Sequence, residues 1–160
     1  RSSDLLLCQS SEEGDTACIG IFDNRVRKLD TLFAEAGILL PDGTGTAAPL
    51  SDAGSCSARQ ADVPADAAIL RPAGRLKIPH MGWNSVENLR SGLFTGIDQG
   101  AYVYYVHSFA PEVNADTIAT TTYGVPFSAA IRKDNFYGTQ FHPEKSASIG
   151  AQILQNFLTL

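Results

Sequence analysis

The chain has 160 residues, of which 44% are hydrophobic and 18% are charged, a composition typical of a single globular domain and not of a disordered chain. Its formal charge is −5, from 12 basic and 17 acidic residues, so we expect no nucleic-acid partner. No apolar run approaches the roughly 18 residues of a membrane-spanning helix, and we expect no membrane partner either.

The first predicted elements are short. Ser11 to Gly14 has the pattern of a helix end, with Gly14 just beyond the last turn. Cys18 to Phe22 predicts a strand, and Arg25 to Leu29 predicts its neighbour. Residues 41–68 are rich in Ala, Asp, Gly, Pro and Ser and contain no aromatic residue. They predict a low-complexity, flexible insertion at about residues 30–75, because such a segment buries too little apolar surface to offset its ordering entropy.

From Tyr102 onward the sequence predicts a β-meander. Runs of β-branched and aromatic residues alternate with turn residues, which is the pattern of successive antiparallel strands. The predicted strands span residues 102–109, 117–123, 127–132 and 136–141, with turns at 124–126 and 134–135.

A helix is predicted at the C-terminus, where apolar residues recur with helical spacing at Ile149, Ile153, Leu154, Phe157 and Leu158. Ser146 or Ser148 is a candidate cap for this helix. The segment His142–Lys145 then joins a strand to a helix, and such loops build sites in α/β folds. We therefore expect an α/β fold.

His142 and Glu144 are the most informative candidate pair. A histidine just beyond a strand, with a carboxylate two residues on, can form a base whose tautomer the carboxylate fixes. The alternative is an ordinary surface loop with two solvated side chains. His107 and Ser108 end a predicted strand, where Ser108 is a candidate nucleophile for His142, or the segment presents backbone groups to a ligand; the alternative is a strand-end histidine hydrogen-bonded in place.

The segment Pro79–Asn84 holds the chain's only Trp and only Met. Aromatic and Met side chains beside a glycine in a loop suit a binding surface. A tryptophan packed in the core is the alternative.

The three cysteines, Cys8, Cys18 and Cys56, are too few and too odd in number for a disulfide framework. None belongs to a C-x-x-C pair or lies near a histidine at metal-ligand spacing, so we expect no metal and no cofactor. Such cysteine usage fits a reducing compartment, and we expect a cytoplasmic location.

Taken together, several segments resemble the glutamine amidotransferase subunits of imidazole glycerol phosphate synthase, which are class I, triad-type glutaminases. The Q-F-H-P-E segment marks class I amidotransferases generally, and P-H-M-G-W-N and V-H-S-F narrow the resemblance to the histidine-pathway subunit. The resemblance covers residues 4–29 loosely and 76–160 closely. The matching segments are residues 11–13, 79–84, 105–109, 129–131, 135–146 and 150–158.

The resemblance implies hydrolysis of glutamine to glutamate and ammonia, with the ammonia passing to a (β/α)₈-barrel cyclase subunit in histidine biosynthesis. It places the catalytic His and Glu of a Cys-His-Glu triad on His142 and Glu144. It places glutamine binding on Glu13, His107, Ser108 and Phe109. It places the cyclase-facing surface on His80, Met81, Gly82, Trp83, Asn84 and Lys145.

The pattern departs from the family at the nucleophile. The family's Cys stands in a G-x-C-x-G elbow, and that position falls at or before Arg1, while its neighbouring Gln falls on Leu5. Cys8 lacks the small neighbours that an elbow needs. The resemblance thus predicts a partial class I amidotransferase fold, a central mixed sheet flanked by helices, without the N-terminal strands and nucleophile elbow. Such a chain is expected to be inactive alone.

Two other functions fit the sequence less closely. One is a non-catalytic module that binds the cyclase, although such a module has no need for Glu13, His142 and Glu144 together. The other is a different class I amidotransferase, against which the P-H-M-G-W-N segment argues.

Overall fold

A computed structural model describes residues 7–13, 15–38 and 76–160. These residues form a mixed α/β structure with two helices and several small sheets. Neither helix in these ranges is long and apolar enough to cross a membrane. In chain order the elements are β1 (Ser10–Ser11), β2 (Thr16–Ala17), β3 (Arg25–Lys28), α1 (Leu29–Glu35), β4 (His80–Val86), β5 (Ala101–His107), β6 (Phe109–Pro111), β7 (Thr117–Tyr123), β8 (Val125–Lys133), β9 (Phe136–Thr139) and α2 (Ala147–Phe157).

Three strands of the predicted β-meander are confirmed as the antiparallel sheet β7–β8–β9. The prediction of one strand over residues 102–109 in that meander is wrong, because the chain divides at Ser108 into β5, which pairs with β4, and β6, which pairs with β3. Gly124 turns the chain between β7 and β8 with φ +70°, a conformation that glycine adopts without strain. The predicted turn at 124–126 is one residue wide, because Pro126 already lies in β8 opposite Thr122. Phe127, Ala129 and Ala130 of β8 are buried and belong to the main core.

β4 and β5 form a two-stranded antiparallel sheet in continuous register, from His80 opposite His107 to Val86 opposite Ala101. The expectation that His80–Asn84 forms a loop is therefore wrong. Gly82 and Asn84 weaken the local strand pattern, but β5 supplies a complete row of backbone partners. Local sequence could not reveal a pairing that depends on residues about 20 positions away.

The four-stranded sheet has the order β2-β1-β3-β6. Its β1–β3 pair is parallel and its other pairs are antiparallel, so this is the mixed sheet among the described residues. The predicted neighbour of β3, a strand over Cys18–Phe22, is wrong, because the chain leaves extended geometry at Gly20 with φ +74°. The helix end predicted at Ser11 is also wrong, since Ser11 lies in β1. The described residues thus form three small sheets instead of one central sheet.

The C-terminal helix is confirmed as α2, with Ile153 only 2% exposed. Leu154, Phe157 and Leu158 lie outside the core, with 46%, 49% and 79% of their surfaces exposed. Helix α1 occupies residues that the sequence had placed at the start of the insertion. It forms because Leu29 and Phe33, at helical spacing, are both fully buried. The rest of the predicted insertion, residues 39–75, lies outside the described residues.

Candidate active site

His142 and Glu144 lie side by side where β9 gives way to α2. His142 immediately precedes the short 3-10 helix Pro143–Lys145, and its Nδ1 is 2.9 Å from Glu144 Oε1. The side chains are 32% and 60% exposed, so the pair is open to a substrate. The predicted base–orienter geometry is therefore present.

The carboxylate determines which ring nitrogen of His142 is bare. Partial burial disfavours the charged form of Glu144, but hydrogen bonds from its own backbone amide and from His142, together with the charges of His142 and Lys145, outweigh burial and lower the pKa of Glu144. An ionised carboxylate only accepts hydrogen bonds, so His142 donates through Nδ1. In the neutral ring Nε2 is then bare and can take a proton from a nucleophile.

Ser146 holds the backbone of His142 in place. Its hydroxyl donates to the His142 carbonyl at 2.7 Å and accepts from the Tyr104 amide at 3.0 Å. The His142 amide donates to the Tyr104 carbonyl at 2.9 Å. Ser146 is fully buried, and these hydrogen bonds join β5 to the turn at His142–Lys145. Ser146 is at the N-cap position of α2, but its hydroxyl does not cap the helix, and Ser148 lies inside α2, so the predicted cap is wrong. No local pattern indicates the contacts that Ser146 makes with His142 and Tyr104.

Gly150 allows α2 to approach the turn at His142–Lys145 closely. A Cβ at this position would lie 1.8 Å from the Pro143 carbonyl oxygen and 3.0 Å from Ser146 Cβ. Both contacts are with rigid parts of the turn, so the helix or the turn would have to move.

We expect Gly150→Ala to lower the free energy of unfolding by about 1–3 kcal/mol, the usual range for overpacking. Urea unfolding measures this. Helix propensity alone would stabilise the variant by about 1 kcal/mol, and the exposed Ala151→Gly is the matched control for that term. A stabilised Gly150→Ala would contradict the close approach.

His80 and His107 form a buried pair, 3% and 6% exposed. His80 Nδ1 is 2.8 Å from His107 Nε2, and His107 Nδ1 is 2.9 Å from the Phe109 carbonyl oxygen. Burial lowers the pKa of His80 to about 3, helped by the charge of His107. Burial likewise lowers the pKa of His107 to about 4; the bond to Phe109 opposes that shift, and the charge of His142 adds to it. Both rings are therefore neutral near pH 7.

The other residues predicted to bind glutamine lie on separate elements. Ser108 separates β5 from β6, and its carbonyl accepts from the Leu29 amide at 2.9 Å. Phe109 packs against the smaller core cluster, while its carbonyl accepts from His107. Glu13 is exposed just beyond β1, with its amide 3.1 Å from Ser11 Oγ. Ser108 and Phe109 thus continue the segment that begins at His107, whereas Glu13 lies on a different part of the chain.

An ion cluster beside Glu13 was not predicted. Arg27 contacts three carboxylates, at 2.7 Å from Glu12, 2.6 Å from Glu35 and 3.0 Å from Glu112. Hydrogen bonds that Arg27 donates to the carboxylates of Glu35, Glu112 and Glu12 raise the pKa of the Arg27 guanidinium. The second oxygen of Glu12 accepts from the Lys28 amide at 2.8 Å, which ties the turn after β1 to β3. The three carboxylates lie 8 to 85 positions from Arg27 in sequence, and local patterns do not reveal contacts over such separations.

The residues predicted to face a partner divide between the two faces of β4. His80 and Gly82 are buried on the inward face of β4, whereas Asn84 is partly exposed. Met81 is 56% exposed. Trp83 is half-buried, and its ring makes an edge-to-face contact with Tyr104 at a centroid distance of 5.8 Å. Lys145 is exposed in the turn that also holds Glu144.

Comparisons with known proteins agree on one family. The family model described as glutamine amidotransferase class-I matches residues 56–160. The imidazole glycerol phosphate synthase subunit HisH of Bacteroides fragilis is 39% identical over 155 residues, which cover 97% of this chain and 59% of the relative. The HisH subunits of Salmonella typhimurium and Escherichia coli K12 are 57% identical over 86 residues, covering 53% of this chain and 44% of each relative. The chain thus spans less than two thirds of the length of these relatives.

Proposed function

The chain belongs to the class I glutamine amidotransferase family, and from that premise we propose that it is part of the glutaminase subunit of imidazole glycerol phosphate synthase. In this proposal it contributes the acid–base half of a Cys-His-Glu triad, with no cofactor, to a cytoplasmic enzyme of histidine biosynthesis. The observation that supports it most directly is the 2.9 Å bond between His142 Nδ1 and Glu144.

The proposed chemistry uses the bare Nε2 of His142. Nε2 takes the proton of a cysteine thiol, and the thiolate attacks the side-chain amide carbon of glutamine. The imidazolium, held by Glu144, returns the proton to the departing nitrogen, and the C–N bond breaks to release ammonia and leave a thioester. Water, deprotonated by the same nitrogen, then hydrolyses the thioester to glutamate and restores the thiol.

The nucleophile is proposed to come from outside the described residues. The resemblance places the family's Cys at or before Arg1, a position that the structure does not describe. Cys8 is fully buried beside Phe22, Val26 and Ile131, so a glutamine carbonyl would not reach its sulfur without rearrangement of that cluster. Cys18 follows β2 in an irregular segment that lacks the strand-to-helix turn of a nucleophile elbow.

Glu13 and the His107–Phe109 segment are proposed to hold the substrate. A carboxylate suits the positive α-ammonium group of glutamine, and the backbone of an irregular segment offers donors and acceptors to its polar ends. Glu13 is exposed, and the turn that bears it is fixed through Glu12.

Removing the charge of Glu13 is expected to weaken glutamine binding. We expect Glu13→Gln to raise the Kd about 10- to 100-fold, as for loss of a charged hydrogen bond worth about 1.5–3 kcal/mol. Titration calorimetry with glutamine measures it. Asp15→Asn is the matched control, since Asp15 is an exposed carboxylate in the same turn. Equal Kd values for Glu13→Gln and wild type would remove Glu13 from the proposed site.

The outward face of β4–β5 is proposed to dock the cyclase subunit. Met81 is 56% exposed there, opposite Val106, with Trp83 next on the same face opposite Tyr104. An exposed Met beside partly covered aromatic rings is the composition that interface centres favour.

Met81→Ser is expected to weaken the complex with the cyclase subunit about tenfold, the effect of losing roughly 1.4 kcal/mol of buried apolar contact. Surface plasmon resonance with the cyclase subunit of the same organism gives the Kd. Val113→Ser is the control, because Val113 is 49% exposed and lines a cleft with Asp23 and Asn24. If both variants bind like wild type, the docking face lies elsewhere.

A further inference from the structure

We propose that His80 is a positioning residue for the glutamine pocket, because it fixes the tautomer of His107 and thereby holds the backbone at Phe109. The inference rests on the proposed function, since the pocket at Ser108 and Phe109 is itself proposed. His80 faces the core from β4, the strand whose outward face is proposed to meet the cyclase.

The direction of each hydrogen bond follows from the acceptor at the end of the chain of contacts. A carbonyl oxygen only accepts, so His107 donates to Phe109 through Nδ1 at 2.9 Å. A neutral imidazole has one N–H, so His107 Nε2 is bare. His80 therefore donates to it through Nδ1 at 2.8 Å. The bare Nε2 of His80 in turn faces the amide nitrogen of Asn84 at 3.4 Å.

The ring of His80 is held between two tyrosines. It stacks on Tyr123 with a centroid distance of 3.9 Å and on Tyr105 at 4.8 Å. The Tyr123 hydroxyl donates to the Lys77 carbonyl at 2.8 Å, and the Tyr105 hydroxyl is 2.6 Å from Thr121 Oγ1. Because both flanking rings are anchored, His80 is held with its Nδ1 directed at His107.

The consequence reaches the segment Ser108–Phe109. If His80 did not donate, His107 could place its proton on Nε2, and its bare Nδ1 would then face the Phe109 carbonyl. Two acceptors at 2.9 Å repel each other in a buried site, so the backbone of this segment would shift. Because the His107 ring is neutral, its one proton lies either on Nδ1 or on Nε2.

Two substitutions at His80 separate its donor from its packing. His80→Phe keeps an aromatic ring between Tyr105 and Tyr123 and removes the donor. His80→Asn places an amide nitrogen near the position of Nδ1 and removes the stacking. Tyr105→Phe is the matched control, since it loses a buried hydroxyl contact next to His80 but leaves both histidines in place.

Histidine ¹⁵N chemical shifts of the labelled chain at pH 7 report the tautomer, and calorimetry reports glutamine affinity. We expect His107 protonated on Nδ1 in wild type, His80→Asn and Tyr105→Phe, and a mixture of tautomers in His80→Phe. We expect His80→Phe to raise the glutamine Kd about three- to tenfold, the loss of one net hydrogen bond of about 0.5–1.5 kcal/mol. His80→Asn should restore most of that affinity, although it packs worse.

Each contrary result has a distinct meaning. A wild-type His107 protonated on Nε2 overturns the inference on tautomer grounds, whatever the chain binds. Equal glutamine Kd values for wild type and His80→Phe overturn the inference and leave the proposed function intact. Wild type that binds no glutamine overturns the proposed function, and the positioning role is then overturned with it.

Discussion

We expect wild type and His142→Ala to release glutamate from glutamine at the same background rate. The assay uses the 160-residue chain mixed with its cyclase subunit and the cyclase ligand. The reason is that the resemblance places the nucleophilic Cys at or before Arg1, and neither Cys8, which is buried, nor Cys18, which follows β2 in an irregular segment, stands in a nucleophile elbow. Members of a triad act as a unit, and loss of the nucleophile removes about 10⁶ in kcat in a serine protease.

The Escherichia coli HisH subunit, assayed in parallel with its own cyclase subunit, is the positive control. The rate of this chain is expected to lie about 10⁶ below it, at the assay background. Turnover by wild type that His142→Ala abolishes would contradict the expectation. It would then place the nucleophile at Cys8, Cys18 or Cys56, and single Cys→Ser variants would identify which.

Acid is expected to destabilise the fold below about pH 6.5 through the His80–His107 pair. The folded pKa values are lowered to about 3 and about 4 from 6.5. The folded state therefore binds fewer protons than the unfolded state once the pH falls below 6.5. The stabilisation from these neutral rings is complete above pH 6.5 and is lost as the pH falls from 6.5 toward 4 and then 3.

The slope in that window approaches two protons, or about 2.7 kcal/mol of unfolding free energy per pH unit. Urea midpoints at pH 7.5, 6.5 and 5.5 measure it. The lowered pKa values of Glu12, Asp30 and Glu144 act in the same direction, but only below their ordinary range near 4. Between pH 6.5 and 5 the change in unfolding free energy therefore comes from the buried histidines.

His80→Phe is expected to reduce that slope by about half, because one of the two titrating rings is gone. Tyr105→Phe is expected to be less stable at every pH, since it loses the contact with Thr121, while keeping the wild-type slope. An unfolding free energy that stays constant from pH 7.5 to 5 in wild type would show that the two rings take up protons in the folded state.

The candidate pair and the C-terminal elements follow from local sequence. His142 and Glu144 are two residues apart, so a turn after the predicted strand is sufficient to bring them together. The strands of the meander and helix α2 have their own periodicities. The predicted strand at Cys18–Phe22 fails for a local reason too, because Gly20 takes a positive φ where the apolar pattern favoured extension.

By itself the sequence determined the family, the contact between His142 and Glu144, and the order of elements from Thr117 onward, because each depends on a contiguous motif or a short repeat. Only the tertiary structure decided that His80 is buried within hydrogen-bond distance of His107, 27 positions away, and that Arg27 joins three carboxylates from three parts of the chain. These contacts are set by strand register and by which faces are desolvated. Both depend on pairing between distant segments, which no local pattern of residues encodes.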